Sequence, residues 1–249
     1  MHPGSARTPL MRTYDLVLFG VTGYTGRLVA EALLESDVSG LTWAFAGRSM
    51  PKLEAVREQV AQRFPQVASI PLIIADAERP ATVRALAAST RVLCTTVGPY
   101  ARYGAAAVEA CVSEGTHYCD LTGEVGFMRH NITHYHADAE ERGLRIVHAC
   151  GFDSVPFDLG VLAAQREFAG KFGRPATKVR TATGRMKGTF SGGTLASMAL
   201  LMDNLKVDPE ARRLLGNPYA LVPGERGPDR NEGRSVEWSD EHQQWVGPF

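Results

Sequence analysis

The chain has 249 residues, 44% of them hydrophobic, with 27 Lys plus Arg balanced by 27 Asp plus Glu. Zero net charge with no block of like sign argues against a nucleic-acid-binding face or a polybasic membrane patch and points to small-molecule ligands. The four cysteines, Cys94, Cys111, Cys119 and Cys150, form no CxxC pair and sit in apolar runs, which argues against a disulfide framework and predicts reduced, buried thiols in a cytoplasmic protein.

Residues 1–13 carry Arg7, Arg12 and two prolines without an apolar stretch, and read as a disordered tail. No later window reaches the roughly 18 apolar residues of a membrane span. Beyond the tail, short apolar runs alternate with amphipathic stretches, the pattern of a parallel sheet wrapped by helices. Strands are expected near 14–20, 41–47, 70–75, 91–97, 116–119 and 144–149. The helix after the first strand should turn Leu28, Val29, Ala32 and Leu33 inward and Glu31 and Glu35 outward; the next should bury Leu53, Val56 and Val60. With right-handed crossovers this is an α/β chain built on a Rossmann doubly wound parallel sheet. Such a sheet binds its ligand at the carboxyl ends of the strands, where the strand order reverses.

Past Cys150 the rhythm changes to a helix near 156–168, an alternating stretch over 177–190, a helix near 194–205 and a Pro/Gly/charged segment over 216–235. A second α+β domain, for substrate or dimerisation, is expected over 156–249, following a Rossmann domain over 14–155. The final EWSDEHQQWVGPF is apolar at Trp245, Val246 and Phe249, which reads as a stop in mid-structure and hence as a truncated product.

The first strand runs into GVTGYTG, with glycines at Gly20, Gly23 and Gly26. A strand before, a helix after and a second strand about 20 residues on supply the context that a dinucleotide fingerprint needs. Gly20 allows the tight exit turn, Gly23 lets backbone N–H groups approach a pyrophosphate, and Gly26 permits close helix packing. Thr22, Tyr24 and Thr25 join the candidate contacts, the two threonines as hydroxyl donors.

Where an NAD-preferring domain ends its second strand in Asp or Glu, this chain has Ala46-Gly47-Arg48-Ser49, with Lys52 one helical turn further. Arg48 matches the 2′-phosphate of NADP through a charge-assisted fork, and Ser49 can cap the helix and donate as well. NADP is therefore the expected cofactor. Asp76 reads two ways, as a contact beside the adenine or as a helix cap. Val97, Gly98 and Pro99 end the fourth strand across the switch point from the glycine turn, where a nicotinamide ring should rest.

Hydride transfer needs a proton donor or an electrostatic stabiliser opposite the ring. The catalytic candidates are Tyr100 and Tyr103, phenols that packing alone would also explain, and Asp120, grouped with His117 and Glu124 near the cleft rim, where turn and capping roles compete. Asp153 and Ser154 read as a helix start. Ser191-Gly192-Gly193-Thr194 opens an apolar helix and can approach a ligand.

GVTGYTG, AGRS with Lys52, VGPYARYG, ACVSEGTHYCDLTGE and GFDSVPFDLG, in this order, resemble the saccharopine dehydrogenase-like oxidoreductases, in particular the enoyl reductase branch. The resemblance covers 14–249. It implies an NADP-type Rossmann domain, a mixed second domain over the cleft, and hydride transfer to an unsaturated or imine-like substrate. In the enoyl reductase branch that substrate is a polyketide or fatty acyl intermediate; in the saccharopine enzymes it is an amino-acid imine. A cofactor-binding scaffold without catalysis is the non-enzymatic alternative. A homodimer and a peripheral membrane association are both compatible with that family reading.

Two motifs are set aside. His130, His134 and His136 approach metal spacing, but only the first two share a helical face and no third ligand stands nearby, so no metal is expected. Asn131-Ile132-Thr133 matches a glycosylation sequon without a secretory signal to give it access.

Overall fold

The computed structural model describes residues 12–36, 40–184, 191–222, 236–240 and 243–247. Expectations for residues 1–11, for 185–190 of the alternating stretch, for 223–235 and for Phe249 lie outside them.

Six strands form one all-parallel sheet: β1 (Tyr14–Phe19), β2 (Trp43–Gly47), β3 (Leu72–Ile74), β4 (Thr90–Thr95), β5 (His117–Asp120) and β6 (Ile146–Val147). Their order is β3-β2-β1-β4-β5-β6, so the chain steps outward from β1 in one direction, then returns to β1's other side with β4. That reversal is the switch point of the doubly wound fold. All six strands fall within the expected ranges or one residue from them.

Alternation along the strands feeds two cores. Val17 and Phe19 of β1 join Leu93 and Tyr118 under α3 (Pro80–Ser89) and α5 (Ala105–Glu114). Leu18 points the other way, to Phe45 and to Leu53 and Val60 of α2 (Met50–Ala61). Full burial of such side chains contributes about 1.5–3 kcal/mol each. β2 is buried at every position because helices cover both its faces.

The helix after β1, α1 (Tyr24–Glu35), sits rotated from the expected face. Gly26 and Ala30 are buried and Val29 and Leu33 pack inward, while Leu28 and Ala32 are exposed. The close approach at Gly26 decides this, since it draws the Gly26–Ala30 edge onto the sheet. Glu31 and Glu35 face outward, as expected, and meet Arg63 at 3.8 and 2.5 Å.

The remaining helices are α4 (Tyr100–Tyr103), α6 (Val125–Glu141), α7 (Val155–Phe172), α8 (Gly192–Val207) and α9 (Pro209–Leu215). Residues 177–184 form no strand despite their alternation. Two short strands, β7 (Glu237–Ser239) and β8 (Gln244–Val246), pair antiparallel in a separate sheet. Among the described residues no helix is long and apolar enough to cross a membrane.

All four cysteines are free, but only Cys111 is fully buried, and Cys150 is exposed, against the expectation of buried thiols. The tail expectation also fails at Arg12. Its guanidinium donates to the carbonyls of Ala87 at 3.3 Å, Ala88 at 2.5 Å and Gly115 at 3.4 Å, and to that of Glu114.

Candidate active site: a dinucleotide cleft at the sheet switch point

The cleft begins where β1 ends. Gly20 takes φ +100°, a conformation open to glycine, and its N–H donates to the Ala46 carbonyl at 2.9 Å, tying the turn to β2. The Gly23 N–H donates back to the Gly20 carbonyl at 3.0 Å, and α1 starts immediately after. A Cβ on Gly26 would run into the Gly20 carbonyl and lie 2.8 Å from Thr96 Oγ1. These contacts demand glycine at the first and third positions. Gly23, the N-cap of α1, lines the cleft, so the positive end of the helix dipole lies at its edge.

The opposite wall comes from β4. The Thr96 N–H donates to the Phe19 carbonyl at 2.9 Å and its hydroxyl to the Gly20 carbonyl at 3.1 Å, which locks the two strand ends together. Val97 and Gly98 continue that wall, followed by a cis Gly98–Pro99 bond. Between the walls lies a cavity of about 290 Å³, lined by Gly20, Thr22, Gly23, Arg48, Asp76 and Tyr103 among others. Tyr24, Thr25, Ser49, Lys52 and Pro99 do not line it, although the first four flank it along the starts of α1 and α2. Ser49 occupies the N-cap of α2 without a side-chain cap bond. Arg48 is exposed at the cleft mouth and enters no ion pair among the described residues, so its fork is available to an anion.

Asp76 caps no helix, since Arg79 holds that place on α3; its carboxylate accepts from the Glu78 N–H at 3.1 Å and borders the cleft. Thr96 and Glu78 are lining residues that the sequence reading missed. Thr96 falls inside the expected fourth-strand range, but its bond to the glycine turn joins residues 76 positions apart and leaves no local signal.

The catalytic candidates separate. Tyr103 lines the cleft, with the Arg102 guanidinium over its ring. Tyr100 does not: it is 5% exposed, its hydroxyl donates to the Thr95 carbonyl at 3.1 Å, and burial pushes its phenol far up. Asp120 is also corrected. Its carboxylate, 2% exposed, accepts from Tyr118 Oη at 2.8 Å, His148 Nδ1 at 2.7 Å and the N–H groups of Thr122 and Ala149, both at 3.1 Å. With its acceptors engaged, it braces the exit of β6, where Ala149 takes φ 58°. Strand parity explains both the burial and the bond to Tyr118, because Tyr118 and Asp120 share the core face of β5.

His117 stands at the opening residue of β5, the end away from the cleft. Glu124 sits near the rim, but its carboxylate is spoken for. It accepts from the N–H groups of Tyr100 and Ala101, at 2.9 and 2.7 Å, and from Ser197 Oγ of α8 at 2.8 Å. Ser154 and Ser191 are the N-caps of α7 and α8, and the Ser191 hydroxyl accepts from the Thr194 N–H at 3.1 Å. His130 and His134 stack on one another with ring centroids 4.1 Å apart, and no metal-binding cluster of His, Cys, Asp or Glu occurs among the described residues.

A parallel sheet in this order, with a three-glycine turn at its switch point and, just past its second strand, an arginine without an ion-pair partner among the described residues, defines a dinucleotide-binding domain of the kind found in nicotinamide-dependent oxidoreductases. Residues 16–147 match the saccharopine dehydrogenase NADP binding domain, and the chain belongs to that family. Over 91% of its length it is 45% identical to a Mycobacterium tuberculosis protein provisionally named a trans-acting enoyl reductase. Over 86% it is 43% identical to the trans-acting enoyl reductase of Mycobacterium bovis. The chain spans about half the length of these relatives, 53% and 51% respectively. Among solved structures, apo saccharopine dehydrogenase (L-Glu forming) from Saccharomyces cerevisiae matches 64% of this chain and 32% of its own. The TM-score is 0.51 and the identity 15%, a likeness of fold.

The resemblance read from the five motif blocks is thus correct, and the NADP expectation agrees with the family. The residues present fit that cofactor: two glycines whose side chains would collide with the atoms that close the turn, and a cation at the mouth with no partner of its own among the described residues.

Proposed function

We propose that this protein works as an NADPH-dependent reductase on the carbon–carbon double bond of an acyl or polyketide-derived intermediate in the cytoplasm. The observation that carries the substrate class is the 45% and 43% identity, over most of the chain, to relatives bearing the enoyl reductase name. NADPH supplies a hydride when bound. The chain's own residues hold and orient it. The glycine turn and the start of α1 receive the pyrophosphate, with Thr22, Tyr24 and Thr25 beside it. Arg48 grips the 2′-phosphate, assisted by Ser49 and Lys52, and Asp76 borders the adenosine side. Val97 and Gly98 form the wall along the ring, and Pro99 follows them through the cis bond, outside the cavity lining. Tyr103, which lines the cleft, would hold or deliver the substrate's proton; its presence in that lining supports the role.

Fluorescence titration with NADPH and NADH, followed by absorbance assays on unsaturated acyl thioesters and amino-acid-derived imines, tests this reading. Tight NADPH binding with thioester-dependent oxidation is expected. Oxidation with imines alone would move the protein to amino-acid chemistry, tight binding without turnover would leave a cofactor-binding scaffold, and equal affinity for NADH would remove the NADP assignment.

A further inference from the structure

Three of the four cysteines converge at the carboxyl side of the sheet. Cys94 of β4 and Cys119 of β5 are register partners on adjacent parallel strands. In-register residues of neighbouring parallel strands point to the same face with Cα atoms about 4.8 Å apart, inside the 4.4–6.8 Å range that a disulfide spans. The neighbouring Cys119 thiol holds the Cys94 pKa below its ordinary value, while Cys94 and then burial push that of Cys119 up. One thiol is thereby favoured as the thiolate and the other as its proton-bearing partner.

Cys150 completes the group from beyond β6. Its N–H donates to the Asp120 carbonyl at 2.7 Å, next to Cys119, and its thiol is exposed. Cys111 lies apart: it belongs to the core on one face of the sheet, while Cys94 packs against the core on the other.

We propose that Cys94, Cys119 and Cys150 form a thiol redox site, in which a peroxide converts Cys94 and Cys119 to one internal disulfide and Cys150 is the solvent-facing thiol through which that bond is exchanged. The Cys94 thiolate attacks the peroxide; an S–O bond forms, the O–O bond breaks, and the leaving oxygen takes a proton. The Cys119 sulfur then attacks the Cys94 sulfenic acid and expels its oxygen as water. Two thiols lose two electrons and two protons, and hydrogen peroxide becomes two waters. A bond straight across parallel strands holds its Cβ atoms farther apart than a relaxed disulfide prefers, which makes it strained and readily reduced. The site is one residue from Thr95 and two from Thr96, so the bond would form directly beneath the cofactor cleft.

The protein, reduced and then exposed to hydrogen peroxide, should be alkylated and analysed by intact mass and peptide mapping. The expected result is loss of two of the four free thiols without added oxygen, a linked pair of peptides carrying Cys94 and Cys119, and full recovery with dithiothreitol. Cys94→Ala or Cys119→Ser should abolish the link, and Cys111→Ser should leave it intact. Cys150→Ser should still form the bond but undergo reduction by glutathione about threefold more slowly or worse. Four thiols still free after peroxide, or oxygen added at Cys150 alone, would overturn the proposal. The map of the unmodified protein decides the matter even if a substituted chain fails to fold.

Discussion

The sheet body through Cys150 and the helices that follow it use apolar residues differently. In the body, Leu18, Phe45 and Leu93 are wholly buried between strands and flanking helices. Helices α7, α8 and α9 contain no buried residue, and Leu159, Met198, Met202 and Val207 are exposed despite belonging to apolar helical stretches. An apolar helical pattern states what a helix is able to bury, and neighbouring elements decide whether it does. The cofactor cleft lies entirely within the first region, and the Glu124–Ser197 bond joins it to the second.

Substitutions should divide along the same line. Phe45→Ala, which empties a fully buried position, should cost about 3–5 kcal/mol in chemical denaturation; a loss under 1 kcal/mol would mean the body is not packed as described. Tyr103→Phe should lower turnover about a hundredfold with NADPH affinity unchanged, read by steady-state rates beside a binding titration. A fall in affinity instead would make Tyr103 a cofactor contact. Arg48→Ala should weaken NADPH binding about tenfold and leave NADH nearly untouched, as expected for loss of a charge-assisted fork at an exposed site. Leu159→Ala and Met198→Ala should each shift stability by less than about 0.5 kcal/mol and leave NADPH affinity alone. Large losses at these two positions would show that their apolar faces are covered in solution.

Much of the first region was readable from sequence because its signals are local or periodic. The strand runs, the glycine turn and Arg48 each sit within a few residues of the element that gives them meaning. What escaped was orientation set by closure. Tyr100 was read from its distance to the switch point, yet its phenol turns back to the Thr95 carbonyl of the strand it has just left. Asp120 was read from its place at a strand end, whereas the period-two rule sends it to the same side as Tyr118, and His148 completes the enclosure from 28 residues away. Leu28 was assigned inward by helical period, but the glycine contact at Gly26 set the rotation of α1. Thr96 was overlooked because its value depends on pairing with Phe19, 77 positions earlier.

Arg12 shows that the edge of a domain is a property of side chains as well as backbone. It lies four residues before the family match begins, yet its one guanidinium reaches carbonyls at the C-terminal ends of both α3 and α5. Those ends carry the negative poles of two helix dipoles, so a single cation serves as a common counter-charge for both. Trimming the protein to begin at Tyr14 would keep every strand and still remove a fastening between two helices that pack on the same face of the sheet.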